Sequence, residues 1–295
     1  MAFPRPPQSE KWVEWALLMA TVISAVAILA ILALLVLFCL PLIESNRLAE
    51  VMSWRWRPFD GQFGILPMCA GSLALSLLAL GLAFPMATGI CTLVQVLANR
   101  LLAGFFLAFI RLMTGIPTVV YGFVSVFLLV PLIRDGFAQG TGFSLLTAAL
   151  TLSLLILPTI MLVFHARLEQ IDPLIRLSSE AMGFTPIQQM RHIFLPAASR
   201  ELGAAAILGF GRAMGDTLIS LMVAGNAAQF PDSLFGSMRT LTAHIALVVA
   251  TDSQSMAYQS VFAAGLALFL LTGAITGLIH GLGQKLAARR HEDHH

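Results

Sequence analysis

The chain is 295 residues long, 58% hydrophobic and only 11% charged, with a formal net charge of +2. A typical soluble domain is about 25% charged, so this composition excludes a soluble globular protein and places the chain in a membrane. The small positive balance carries no nucleic-acid signature, because membrane topology accounts for the basic residues.

A helix needs about 20 apolar residues to cross the hydrocarbon core, and the polar breaks leave six such stretches. The first runs from Trp12 to Ile43. It reads as a retained helix, since the apolar part of a signal peptide is only about 7 to 15 residues long. The second covers Ile65 to Ala98. Arg111 interrupts Leu101 to Thr114, which reads as a short interfacial helix leading into the third span, Ile116 to Ile133. The fourth covers Phe143 to Phe164, the fifth Ala197 to Gly225 and the sixth Tyr258 to Leu282. The chain is therefore predicted to be an all-α, polytopic membrane protein. An anchor helix with an external loop (1–60) precedes a membrane domain (61–285) and a short tail (286–295).

Lys and Arg concentrate in cytoplasmic loops. With the N-terminus inside, that side holds Arg5, Lys11, Arg100, Arg111, Arg167, Arg176, Arg191, Arg200, Lys285, Arg289 and Arg290. The other side holds Arg47, Arg55, Arg57, Arg134 and Arg239. Both termini are expected in the cytoplasm. Cys39, Cys69 and Cys91 fall in or beside spans without metal-ligand spacing and read as buried thiols.

Between the fourth and fifth spans, segment 165–196 turns polar and well punctuated. Asp172-Pro173 starts a short helix and Gly183 ends it. Thr185-Pro186-Ile187-Gln188 reads as a capping box opening a second helix, with Pro196 starting the fifth span. The result is a helical hairpin on the membrane face, whose Ile187, Met190, Phe194 and Leu195 need cover. On pattern alone, a connector lying on lipid explains it equally well.

Ser179-Glu180-Ala181-Met182-Gly183, nine residues, then Ile193-Phe194-Leu195-Pro196 resembles the EAA loop of ABC importer permeases. The resemblance implies that Glu180, Ala181, Gly183, Thr185, Ile193, Leu195 and Pro196 couple the chain to an ATP-binding subunit. One departure is plain. The family's glutamate lies six residues before the glycine, where this chain has Leu177, and Glu180 stands one turn later.

The fifth span contains Gly211-Arg212-Ala213-Met214-Gly215-Asp216-Thr217. A charge at the centre of a membrane helix costs roughly 2.5 to 3.5 kcal/mol on the insertion scale. In a continuous helix the spacing of four puts Arg212 and Asp216 on one face, where they neutralise each other, while Gly211 and Gly215 admit a close backbone. Arg212 lies twelve residues beyond Arg200, about 18 Å of helix and near mid-membrane. A purely structural ion pair is the competing reading.

This segment, with Val223-Ala224-Gly225-Asn226, resembles the permease subunits of Pst-type phosphate importers, the PstC branch in particular. Asp216 stands where that branch has glutamate. Gly115-Ile116-Pro117-Thr118-Val119-Val120-Tyr121-Gly122 and Ser233-Leu234-Phe235 with Arg239-Thr240-Leu241-Thr242 carry the likeness further. It implies a type I ABC importer permease fold in the cytoplasmic membrane and phosphate as substrate. Arg212 would be the anion contact, Asp216 its resting partner, Gly211, Gly215 and Thr217 pathway neighbours, and Thr118 and Tyr121 weaker candidates. Expected partners are an ATP-binding subunit dimer, a second permease, an external phosphate-binding protein and lipid, with no nucleic acid.

No P-loop is present, since the only lysines are Lys11 and Lys285 and neither follows glycine. No cofactor is expected on this chain; ATP and Mg belong on the partner ATPase. Metal and hydrolase motifs are lacking, and no residue set supports a membrane enzyme. Alternatives are an importer of sulfate or molybdate, or an ATP-independent channel or secondary transporter, which needs no docking loop.

Overall fold

The computed structural model describes residues 8–45, 47–96, 100–171, 173–249 and 256–292. It is a helical bundle. α1 (Gln8–Glu44) is followed by the single turn α2 (Leu48–Val51) and a two-residue hairpin, β1 (Trp56–Arg57) and β2 (Gln62–Phe63). Trp56 pairs with Phe63 across the hairpin, and Gly61, in the left-handed region at φ 68°, closes it. α3 (Leu66–Val96) and α4 (Arg100–Gly115) come next, then α5 (Thr118–Phe127), α6 (Leu129–Phe137) and α7 (Leu145–Glu169). α8 (Pro173–Ala181), α9 (Pro186–Gln189) and α10 (Leu195–Ala197) form the connector, with a π-turn at Met190–Phe194. α11 (Ser199–Gly215), α12 (Leu218–Val223), α13 (Leu241–Val248) and α14 (Met256–Glu292) complete the chain.

Among the described residues five helical stretches are long and apolar enough to span: Trp12–Leu42, Leu66–Gln95, Thr118–Phe137, Leu145–Glu169 and Met256–Gly281. A sixth arises where Pro186–Ala197 and Ser199–Gly215 are taken together, a pair bent by 71°. The expected count of six holds in that sense. The third span holds at Thr118–Phe137, with a turn at Leu128 where α5 passes into α6. One expectation is corrected. The fifth is not continuous from Ala197 to Gly225, because α11 stops at Gly215 and α12 restarts at Leu218. Glycine and aspartate are both weak helix formers, and an aspartate gains more by capping a new helix than by extending an old one. Arg100–Gly115 is a separate helix, as expected, and the segment predicted as tail is helical through Glu292.

α3 and α7 pack against each other along the centre, with α11 laid against both. Lipid is as apolar as a leucine side chain, so helices in a membrane associate through close packing rather than burial from water. Residues Ala79, Ala83, Ala87 and Cys91 of α3 recur every four positions, forming one small-residue ridge, and all four are fully buried. Leu152, Ile156, Ile160 and Phe164 of α7 belong to the same core. The cysteines are buried free thiols as expected, and the Cys91 thiol lies 3.5 Å from the Met161 carbonyl. α1 packs on α14 and is otherwise exposed, with Cys39 and Leu42 buried near its end.

Candidate substrate pathway and coupling surface

On α11, Ala205, Gly209, Phe210, Ala213 and Met214 are buried. Ala204, Leu208, Arg212 and Gly215, spaced at helical intervals, form an exposed stripe on the opposite face. Arg212 therefore points out of the bundle along an open strip of the chain. Its guanidinium donates to Thr159 Oγ1 of α7 at 3.3 Å. No ion pair among the described residues includes it.

The expected Arg212–Asp216 pair is not formed. Asp216 has an extended backbone (φ −74°, ψ 127°), and its carboxylate accepts from the Ile219 N–H at 2.8 Å, capping α12. The break places Asp216 past the end of α11, so the spacing of four no longer stacks it over Arg212. The short aspartate reaches the amide three residues on, which is what a cap requires. The Asp216 carbonyl accepts from Thr242 Oγ1 at 2.9 Å and from Ser220 Oγ at 3.3 Å. Thr240 Oγ1 donates to Ser220 Oγ at 3.0 Å and lies 3.0 Å from Thr242 Oγ1. A buried hydroxyl network thus locks the broken helix to α13. Sequence reasoning missed Thr159, Ser220 and Thr242 as members of this site; polar residues inside apolar stretches were the only signal.

Within this chain no backbone approaches Gly211 or Gly215: a Cβ at either would meet nothing within 4 Å. The tight glycine of α11 is Gly209, where a Cβ would stand 2.9 Å from the Ile160 side chain. Gly122 is closely packed: a Cβ there would stand 2.6 Å from Met222 Sδ. Gly115 is open. Thr217 and Thr118 are half-buried. Tyr121 is within electrostatic range of Arg212, but its hydroxyl is committed to the Met113 carbonyl at 2.9 Å.

At the other end of α11 the connector is as punctuated as its sequence. The expected cap Asp172 lies outside the described residues. Gly183 is left-handed at φ 77° and the Phe184 N–H returns to the Ser179 carbonyl at 3.1 Å, ending α8. The capping box is complete: the Thr185 N–H donates to Gln188 Oε1 at 2.8 Å and the Gln188 N–H to Thr185 Oγ1 at 3.4 Å. The π-turn then underwinds the path, and Met190 and Phe194 turn inward to the core. Leu174, Ile175, Leu177, Met182 and Ile187 remain exposed, as do Glu180, Ala181, Gly183, Thr185 and Gln188. Ile193, Leu195 and Pro196 are half-buried. Arg167, near the end of α7, pairs with Glu201 at 3.1 Å, joining the two ends of the connector.

A membrane bundle with an arginine on an open helical stripe, in no ion pair among the described residues, and an apolar-faced helical hairpin at one end, has the build of a transport subunit. Residues 79–287 match the family described as binding-protein-dependent transport system inner membrane component, and the chain belongs to that family. It is 34% identical over 236 residues to a probable ABC transporter permease, YqgH, of Bacillus subtilis, covering 79% of this chain and 76% of that one. The phosphate transport system permease PstC of Mesorhizobium japonicum is 27% identical, with 79% and 77% covered. PstC of Pasteurella multocida is 26% identical, with 76% and 75% covered.

Among solved structures, a bacterial ABC transporter importing alginate superposes with a TM-score of 0.62 at 15% identity, covering 94% of this chain and 96% of that one. The inward-facing MetNI methionine transporter gives 0.58 at 19% identity, covering 76% and 95%. The fold is therefore that of an ABC importer permease. The chain is an inner-membrane transport subunit, as its relatives are, rather than an enzyme.

Proposed function

We propose that this chain is the permease subunit of an ATP-driven importer that moves inorganic phosphate across the cytoplasmic membrane by alternating access. The observation that carries the proposal is Arg212, a guanidinium on an open stripe of α11, bonded to Thr159 and, among the described residues, to no carboxylate. Phosphate is strongly hydrated, so its passage needs fixed donors that replace water, and an arginine fork supplies them without losing its charge. The PstC relatives support the same substrate.

In this reading Arg212 contacts the anion, and Gly211, Gly215 and Thr217 line its way. Asp216 holds the helix break that presents them. Thr118 and Tyr121 sit at the margin. A second permease faces the stripe, and an external phosphate-binding protein delivers substrate. The exposed face of α8 and α9 docks on a dimer of ATP-binding subunits, where ATP and Mg reside, and both chain termini are cytoplasmic.

The test is phosphate uptake by the full importer in proteoliposomes, with Arg212→Lys and Arg212→Ala beside the unmodified chain. Uptake requiring ATP, weakened in the lysine variant and lost in the alanine variant, is expected. Normal uptake by Arg212→Ala overturns the proposal. So does uptake of sulfate or molybdate in place of phosphate, or uptake without ATP.

A further inference from the structure

Of the five arginines at the hairpin end, Arg47, Arg55, Arg57 and Arg134 are exposed, and Arg57 and Arg134 pair with Asp60 and Asp135. Arg239 differs from them. It is half-buried and forms no ion pair among the described residues. Its Nε donates to the Asn226 carbonyl at 2.9 Å.

The seat of Arg239 is rigid. Gly225 and Asn226 are both left-handed, at φ 86° and 58°, and Asn226 Nδ2 ties back to the Leu221 carbonyl at 2.7 Å. The Met238 N–H donates to the Ala224 carbonyl at 2.9 Å, and the Leu241 N–H to Ser72 Oγ of α3 at 2.8 Å. A Cβ at Gly71 would stand 2.8 Å from the Arg239 carbonyl, so only glycine lets α3 come this close. Thr240, next in sequence, belongs to the hydroxyl network that holds Asp216. Arg212 thus lies on the helix that precedes α12 and Arg239 is tied to Asn226 just after it, α12 itself having six residues that span about 9 Å.

Holding a half-buried cation in a braced seat costs desolvation, and among the described residues only the Asn226 carbonyl, not a carboxylate, is bonded to it. We propose that Arg239 is a second anion contact of the pathway, which takes a phosphate oxyanion at the hairpin end before it passes along α12 to Arg212. The inference rests on the phosphate reading above. Nε is committed to Asn226, so the fork's terminal nitrogens meet the anion.

Arg239→Gln keeps a donor for the Asn226 carbonyl and removes the charge; Arg239→Lys keeps the charge. In the reconstituted importer, with assembly and ATP hydrolysis monitored alongside, Arg239→Gln is expected to slow phosphate uptake about tenfold, the scale of one charge-assisted hydrogen bond. Arg239→Lys is expected to outperform it. Uptake by Arg239→Gln equal to or above that of Arg239→Lys overturns the inference and makes Arg239 a strut. If Arg239→Gln does not assemble, an assembled Arg239→Cys importer is modified with aminoethyl or sulfonatoethyl methanethiosulfonate; rescue by the cationic reagent alone supports the inference, and equal effects overturn it. Repeating the comparison in vesicles of phosphate-free galactolipid separates the sources of phosphate: a defect confined to phospholipid vesicles marks a headgroup contact and overturns it. Failure of the unmodified importer to carry phosphate overturns the parent reading and this one together; normal carriage with an unaffected Arg239→Gln overturns this one alone.

Discussion

Asp216 shows how one carboxylate changes role with backbone conformation. In a continuous helix it would lie over Arg212; at a helix break it caps the Ile219 amide instead. Asparagine caps as well as aspartate, whereas alanine costs about 1 kcal/mol. Asp216→Asn is therefore expected to melt at the temperature of the unmodified protein in detergent, and Asp216→Ala several degrees lower. An ion-pair role would make both variants unstable. Gly209 gives a second residue-level expectation. With Ile160 2.9 Å from a built Cβ, Gly209→Val overpacks the α11–α7 contact and should destabilise by about 1–3 kcal/mol, measured by the same melts, while Gly211→Val, in open space, should not.

The connector is the element whose sequence and structure agree most closely, since caps and proline act through the nearest few residues. Its two helices differ in purpose along their length. Met190 and Phe194 anchor it to the bundle core through the π-turn, while Ile187 and Met182 stay outside. Removing the Thr185 cap leaves the anchor and loosens the outer turn. Thr185→Ala should raise amide hydrogen exchange across 185–189, reflecting about 1 kcal/mol of lost local stability, and lower substrate-stimulated ATP hydrolysis of the importer with little change in assembly. The Arg167–Glu201 pair closes the base of this element and is partly exposed, with about a third of each side chain accessible; breaking it by Glu201→Gln should cost no more than about 1 kcal/mol in the same melts.

At the scale of the molecule, the bundle is incomplete on one side. Ala204, Leu208, Arg212 and Gly215 form a strip with a charge in it, which lipid is poorly suited to cover. A photo-crosslinker replacing Leu208 in the assembled importer should capture the second permease subunit. Capture of lipid alone would remove the stripe from the pathway. By the same reasoning a crosslinker at Leu29, on the apolar exposed length of α1, reports what covers the anchor helix.

Much of this architecture was determined by the sequence alone. Apolar run length sets where spans lie, and Thr185, Gln188 and Gly183 set the connector through bonds that reach no further than a turn. The Arg212 anomaly was equally legible, because a charge in hydrocarbon is costly whatever surrounds it. What only the tertiary structure decided was the partner of each polar group. Arg212 meets Thr159 from a helix 53 positions away, and the Asp216 carbonyl meets Thr242 across the 26 residues to α13. Arg239, read in sequence as one more loop charge, is half-buried with its Nε on the Asn226 carbonyl, while Gly71 meets its backbone carbonyl and Ser72 holds the Leu241 amide two residues on. Such contacts depend on how helices pack, and packing is set by shape complementarity across distant segments, which no local pattern of residues encodes.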